Sequence, residues 1–171
     1  MSKIKRVLFL CSGNTCRSVA AEYLAKWYKD NKYNEELKDI NFDSAGLFHY
    51  YEKPQEGTLK YLKSKGIEVN DFVAKRIDEE LIKKHDLILG FEEKWHIRKL
   101  KRRFKNLKDL DRKLFLLIDF AGEKKNLEIE DPFYYEEVEY NKALKRIEDG
   151  LIIVLEKIIE INKKSEYKNH E

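Results

Sequence analysis

The chain has 171 residues, 42% apolar and 39% charged, with a net charge of +3 from 35 basic and 32 acidic side chains. That apolar content excludes a disordered polyelectrolyte, and 7 glycines and 2 prolines exclude collagen-like or low-complexity sequence. The longest apolar stretch, LIIVLEKIIEI, is interrupted by charge and short of the roughly 18 residues of a membrane helix; MSKIKRVLFL has no signal-peptide cleavage site, and two cysteines make no disulfide framework. The prediction is a single soluble, cytoplasmic domain over residues 1–162 followed by a polar, frayed tail over 163–171, long enough to bury about two-thirds of its unfolded surface. The Lys and Glu bias fits an ion-pair-rich thermophile surface or a Lys-favouring genome, and composition does not separate the two.

Val7-Leu8-Phe9-Leu10 is a continuous apolar run, the pattern of a strand buried on both faces of a parallel sheet. The polar turn Cys11 to Arg17 follows, and Ser18 opens an amphipathic helix carrying Val19, Ala20, Tyr23, Leu24 and Trp27. Asn41 to Gly46 reads as a short strand, Thr58 to Lys65 as a helix stopped by Gly66, and Ile67 to Arg76 as an irregular or strand-like piece. Asp78 caps a short helix containing Leu81 and Ile82, and Asp86 to Gly90 is another buried strand. Residues 92–106 predict a charged helix, Lys113 to Ile118 a fourth strand, and Glu137 to Asn162 a long helix with apolar positions at spacings of three and four. Strands alternating with helices predict an α/β fold of three layers: a central parallel four-stranded sheet with helices on both faces. Active sites in such sheets lie at the carboxyl ends of strands, where the Cys11 to Arg17 turn sits.

The segment Cys11-Ser12-Gly13-Asn14-Thr15-Cys16-Arg17-Ser18 has the makings of a phosphate-binding loop. A tight turn entering a helix points backbone N–H groups into one concavity, and the helix N-terminus adds about half a positive charge. Gly13 permits close backbone approach, Asn14 tolerates a left-handed conformation, and the planar guanidinium of Arg17 can grip two oxygens of a tetrahedral oxyanion. The same surroundings favour a thiolate at Cys11, facing the phosphorus, and the Ser18 hydroxyl can donate to the sulfur. The implied chemistry is nucleophilic attack on a phosphate ester through a phosphocysteine. A cysteine is more often a small core residue, and a bare Cys-x5-Arg match arises by chance; the position between strand and helix, with Gly and Asn inside and Ser after, favours the functional reading.

An ester also needs its leaving group protonated, which calls for a carboxylic acid near the loop. Asp131, in Glu128-Ile129-Glu130-Asp131-Pro132-Phe133-Tyr134-Tyr135, is the best candidate: Pro132 stiffens the segment, and the following aromatics can wall a deep slot. Alone, Asp131 would read as a solvated loop acid. The slot candidates are Thr15, His49, Tyr50, Phe133 and Tyr134, with Tyr51 an alternative to His49 or Tyr50.

Together these residues resemble the low-molecular-weight protein-tyrosine-phosphatase family, from Val7 to the last helix. The Cys-x-Gly-Asn-x-Cys-Arg-Ser loop and the Asp-Pro-aromatic segment downstream carry the resemblance, with Asp43-Ser44-Ala45-Gly46 and Asp86-Leu87-Ile88-Leu89 as further matching segments. It implies Cys11 as nucleophile, Arg17 as phosphate ligand, Asp131 as acid and then base, Ser18 as support for the thiolate, and Asn14 as the holder of the loop shape with Ser44 as its partner. It implies no metal and no organic cofactor, and a phosphorylated protein or peptide as substrate; the lack of a membrane-length apolar run predicts no membrane partner. Cys16 matches a second loop cysteine that in many members forms a protective disulfide with the nucleophile; the alternative is a thiol packed under the loop.

The chain departs from the family pattern at Val19, where Pro is usual, and at Phe72, where a histidine often supports the loop asparagine, so Asp71 is a candidate partner for Asn14. Thr15 and Asp-Pro-Phe resemble the arginine-phosphatase branch, whereas Tyr134 and Tyr135 do not; the aromatics favour phosphotyrosine, with phosphoarginine as the alternative. An arsenate reductase would need resolving cysteines after Cys16, and there are none. Lys94 to Lys108 packs eight basic residues with Trp95 and Phe104, but Ile97, Leu100, Phe104 and Leu107 give it an apolar side, which argues for a solvated helix face or a site for acidic phosphopeptides over a nucleic-acid module.

Overall fold

In the computed structural model, which describes residues 3–167, the chain order is β1 (Arg6–Cys11), α1 (Arg17–Asn31), β2 (Asn41–Gly46), α2 (Glu56–Ser64), α3 (Glu79–Lys84), β3 (Leu87–Gly90), α4 (Arg98–Arg103), β4 (Leu114–Leu116), α5 (Leu117–Ala121) and α6 (Glu137–Tyr167). The four strands form one parallel sheet in the order β2-β1-β3-β4. Alternation along β1 splits the core in two. Val7, Phe9 and Cys11 face a cluster that includes Leu24, Leu62, Leu144, Leu151 and Leu155, while Leu8 and Leu10 face Ile82, Ile97, Leu100 and Leu114. Helices α1, α2, α5 and α6 thus cover one face and α3 and α4 the other, which is why β1 is apolar at every position from Val7. Each fully buried leucine contributes roughly 1.5–3 kcal/mol relative to exposure.

Several boundaries differ from the sequence reading. The fourth strand stops at Leu116, and Leu117 to Ala121 turns into a helix that ends on Gly122 at φ 106°. Leu117, Ile118 and Phe120 are all buried, so the apolar run that reads as strand is satisfied equally well by a helix wedged between sheet and α6. The charged helix over residues 92–106 is instead a π-helical turn, Glu93–Ile97, that leads into α4. α2 begins at Glu56, two residues before Thr58, and Ile67 to Arg76 is irregular, meeting the sheet through a bridge between Arg76 and Gly46. Asp78 does cap α3, its carboxylate accepting from the Leu81 N–H at 2.8 Å. The last helix runs through 163–167, where a frayed tail was predicted; residues 168–171 of that tail lie outside the described residues. At the predicted end, the Asn162 amide accepts from the Ile4 N–H at 2.7 Å and donates to the Ile4 carbonyl at 2.8 Å, clamping α6 to the chain just before β1.

α6 also buries a carboxylate. Glu148 accepts from the Tyr28 and Tyr61 hydroxyls at 2.8 and 2.6 Å and pairs with Lys65 at 2.9 Å, joining α1, α2 and α6. Burial opposes its charge, but these donors outweigh burial and hold the carboxyl below its ordinary value.

The close approach of α5 to α6 rests on Gly150, where an added Cβ would lie 2.7 Å from Ile118 Cδ1 and 2.8 Å from Leu117 Cδ2. Gly150→Leu is expected to cost about 1–3 kcal/mol through overpacking, read as a lower urea midpoint at unchanged slope; an unchanged midpoint would contradict this packing.

Candidate active site

In the strand order β2-β1-β3-β4 the chain crosses from one side of β1 to the other, so the loops leaving β1 and β3 diverge and open a crevice at their carboxyl ends. The loop after β1 is Ser12 to Cys16. It rests on the end of β2: the Leu47 and Phe48 N–H groups donate to the Cys11 and Ser12 carbonyls at 3.0 and 2.9 Å. Gly46 lies directly beneath the loop, and a Cβ there would meet Asn14 N, Gly13 C and Phe48 O, all backbone, at 2.8 Å. Asn14 takes the left-handed conformation at φ 56°, as its residue type allows.

A polarised relay fixes the sulfur's surroundings. The Asn14 Oδ1 accepts from the Lys75 N–H at 2.9 Å, which turns its amide nitrogen toward Ser44 Oγ at 2.8 Å and Ser18 Oγ at 3.0 Å. Ser44 donates onward to the Glu22 carboxylate, which Lys26 pins from the other side. Ser18 Oγ receives the amide proton, so its own hydrogen is free to point at Cys11 Sγ, 3.0 Å away. The predicted partner Asp71 takes no part in holding Asn14: the Lys75 backbone does that work, and Phe72 packs edge-on against Tyr23 at 6.1 Å.

Arg17 is 99% buried, its side chain only 1% exposed. Its Nη1 donates to Glu92 Oε2 at 2.6 Å and to the Ile129 carbonyl at 2.8 Å, and its Nη2 lies 3.1 Å from Asp131 Oδ2. Its Nε is a buried donor with no partner among the described residues. Burial alone opposes the charge, but Cys11, Asp131 and Glu92 outweigh it, and the guanidinium is held more firmly protonated than usual. Asp131 stands at the rim with its side chain 44% exposed, its Oδ1 accepting from the Phe133 N–H at 3.2 Å in an Asx turn that Pro132 helps to set.

Glu92 and His96, on the loop after β3, were not singled out from the sequence. His96 Nδ1 accepts from the Phe91 and Glu92 N–H groups at 2.9 and 3.1 Å, which leaves the proton on Nε2, 3.3 Å from Ser12 Oγ and 3.5 Å from Glu92. Burial, and then the Arg17 charge, push this imidazole well below its ordinary range, so it is neutral. Glu92 and His96 are ordinary residues inside a charged run; the one signal for them was their place just past the carboxyl end of a strand beside β1.

The sequence-predicted slot is assembled in part. Tyr50, Tyr51, Asp131, Phe133 and Tyr134 line a cavity of about 400 Å³, with Tyr51 stacked on Phe133 at 6.4 Å and Tyr134 edge-on to Phe133 at 4.7 Å. Thr15 is not in its wall: it is buried, its hydroxyl accepts from Gln55 Nε2 at 3.3 Å, and its carbonyl accepts from the Gln55 N–H at 2.8 Å. His49 is exposed and outside the lining, and Tyr51 takes that place. Cys16 lies under the loop as a free thiol receiving the Tyr140 hydroxyl at 2.9 Å, and burial pushes its pKa up to about 12. Among the described residues no group of three or more His, Cys, Asp or Glu is placed to hold a metal ion, and no helix is long and apolar enough to cross a membrane.

A family model described as low molecular weight phosphotyrosine protein phosphatase matches residues 6–166. The chain belongs to that family. Phosphatases of this family are cysteine-dependent enzymes, and the relatives are named accordingly. YfkJ of Bacillus subtilis, a low molecular weight protein-tyrosine-phosphatase, is 31% identical over 140 residues, spanning 77% of this chain and 85% of its own. The crystal structure of the low molecular weight protein tyrosine phosphatase from T. tengcongensis superposes with a TM-score of 0.78 at 31% identity, over 90% of this chain and 99% of that one. The YwlE arginine phosphatase from Geobacillus stearothermophilus superposes with a TM-score of 0.77 at 26% identity, over 98% and 97% of the two chains.

Two outcomes test how this phosphatase holds its loop. Gly46→Ala is expected to lower both thermal stability and turnover, because all three clashing atoms are backbone; full activity would show that the loop does not depend on that contact. His96 has a folded pKa depressed below the unfolded value near 6.5, so the unfolded chain binds the extra proton at lower pH. Stability is therefore complete above about pH 6.5 and falls below it, by up to roughly 1.4 kcal/mol per pH unit. Denaturant titrations at pH 7.5 and 5.5 should show that loss in wild type and a flatter dependence in His96→Gln; equal slopes would remove His96 as the cause.

Proposed function

We propose that the chain hydrolyses phosphotyrosine in proteins through a phosphocysteine intermediate. The observation that carries this reading is the buried Arg17, held between Asp131 and Glu92 with its Nε unpartnered among the described residues, in the loop that carries the Cys11–Ser18 pair. The Cys11 thiolate attacks phosphorus from the floor of the loop formed by Ser12, Gly13, Asn14, Thr15, Cys16, Arg17 and Ser18. As the S–P bond forms, the P–O bond to the tyrosyl oxygen breaks, and the Asp131 carboxylic acid gives its proton to that oxygen. In the second step the Asp131 carboxylate takes a proton from water, whose oxygen attacks phosphorus; the S–P bond breaks, and inorganic phosphate and the thiolate are released. Ser18 supports the sulfur anion at both ends of the cycle, through the hydroxyl that Asn14 and Ser44 orient. Arg17 meets the equatorial oxygens, whose negative charge in the transition state is spread over a trigonal bipyramid. No metal or cofactor enters these steps.

Support for phosphotyrosine comes from the wall of the cavity, where Tyr50, Tyr51 and Phe133 offer aromatic faces to a phenyl ring. The second reading, phosphoarginine, draws support from the likeness to the YwlE arginine phosphatase along nearly the whole chain. The position of Thr15 weighs against it, since its hydroxyl is engaged by Gln55 and not turned to the cavity. Parallel rates on phosphotyrosyl and phosphoarginyl peptides of one sequence decide between them, with the phosphotyrosyl peptide expected to react faster.

Cys11→Ser is expected to abolish turnover of p-nitrophenyl phosphate. Asp131→Asn is expected to slow hydrolysis of esters with poor leaving groups by about 10²–10⁴-fold, and of p-nitrophenyl phosphate much less. Equal loss on both classes of ester would contradict the acid role.

A further inference from the structure

The reaction leaves the basic run from Lys94 to Lys108 unused. α4 and the turn before it divide these cations between two edges. On one, Arg98 pairs with Glu93 at 3.3 Å and Lys101 with Asp111 at 2.7 Å. On the other, Lys99 and Arg103 lie one turn apart, and neither has a carboxylate within ion-pairing distance among the described residues. The Lys99 ammonium instead lies 4.6 Å from the Phe48 ring centroid and 5.2 Å from that of Trp95. The Arg103 guanidinium is 5.3 Å from the Phe48 ring and donates to the Leu47 carbonyl at 2.6 Å. Arg76, also without a carboxylate, faces it; burial and the Arg76 charge together lower the Arg103 guanidinium from its ordinary value. What sets these cations apart is their seat: Lys99 and Arg103 both lie over the Phe48 ring, and the Arg76 charge acts on Arg103.

Their position ties them to the site. Phe48, the ring beneath Lys99, hydrogen-bonds Ser12 through its N–H and packs at 5.4 Å against Tyr50, which lines the slot. These spacings put the Lys99 ammonium within about 10 Å of the Tyr50 ring, the reach of roughly three residues of extended peptide. We propose that Lys99 and Arg103, set on the Phe48 and Trp95 rings, together with Arg76, form an anion-accepting rim that selects phosphopeptides bearing Asp or Glu two or three residues from the phosphorylated side chain. The inference rests on the phosphatase reading above. A carboxylate there would relieve the repulsion between Arg76 and Arg103 and pair with Lys99, and half-exposed Trp95 offers apolar surface to the peptide chain. A nucleic acid fits less well, because the segment bearing Asp131 adds Glu128, Glu130, Glu136 and Glu137, which would repel a continuous phosphate backbone.

The test is kcat/KM on phosphotyrosyl peptides of one length carrying Glu, Gln or Lys at the second and third positions on either side. Wild type is expected to prefer the Glu peptides over the Gln peptides about threefold to tenfold, mainly through KM, and to lose most of that preference at about 0.5 M salt. Lys99→Glu and the double variant K99Q/R76Q should abolish or reverse the preference while p-nitrophenyl phosphate turnover stays unchanged. No charge preference in wild type, or a variant loss equal on all peptides and on p-nitrophenyl phosphate, overturns the proposal. So does a single-stranded RNA whose binding depends on Lys99 in a protein that shows no preference for acidic peptides. Absence of any p-nitrophenyl phosphate turnover in wild type would instead overturn the phosphatase reading beneath it.

Discussion

The site is organised around one buried cation. Taking a guanidinium out of water costs several kcal/mol, and only charges and carbonyls held in fixed positions offset it. Arg17 finds these on two segments remote in sequence: Glu92 on the loop after β3, and the Ile129 carbonyl and Asp131 on the segment before α6. The same ion pairs that make burial tolerable bring the acid candidate to the mouth of the cysteine loop. Removal of either carboxylate would leave charge exposed to a low-dielectric interior, so the geometry of the acid and the stability of the loop are coupled.

A second constraint is a hydrogen-bond relay anchored on the Glu22 carboxylate. Glu22, Ser44, Asn14, Ser18 and Cys11 form a chain in which each donor has one available acceptor. The Lys75 N–H decides its direction by occupying the Asn14 carbonyl. The left-handed backbone at Asn14 is affordable because the side chain is tied down at three points, and it turns the loop over the end of β2. His96 adds a neutral donor on the opposite side, kept uncharged by burial next to Arg17. Cys11 thus has the oriented Ser18 hydroxyl at 3.0 Å, while Cys16, five residues on, is buried against Tyr140 and held as a thiol.

Much of the fold was legible because parallel strands buried on both faces leave an apolar signature, and β1 and β3 carry it plainly. The fourth strand was overextended for the same reason: Leu117 and Ile118 are buried as helix, and an apolar run does not say which backbone buries it. The π-helical turn at Glu93 to Ile97 had no pattern of its own, since it exists to seat His96 against Ser12 and the Phe91 and Glu92 amides.

The sequence by itself determined the local chemistry, because a turn that joins strand to helix needs Gly, Asn, Arg and Ser at fixed spacing, and adjacent residues cannot escape one another. Cys11, Asn14, Arg17 and Ser18 belong to that category, whereas the Asn14–Ser44 bond, 30 residues apart, was legible only through the family resemblance. Only the tertiary structure decided which distant groups close the site. Glu92 rather than some other acid meets Arg17, Tyr51 rather than His49 walls the slot, Thr15 turns to Gln55, and Lys99 reaches the Phe48 ring. Those choices depend on strand order, which places the ends of β1, β2 and β3 side by side, and on burial, which selects the partners a charge keeps.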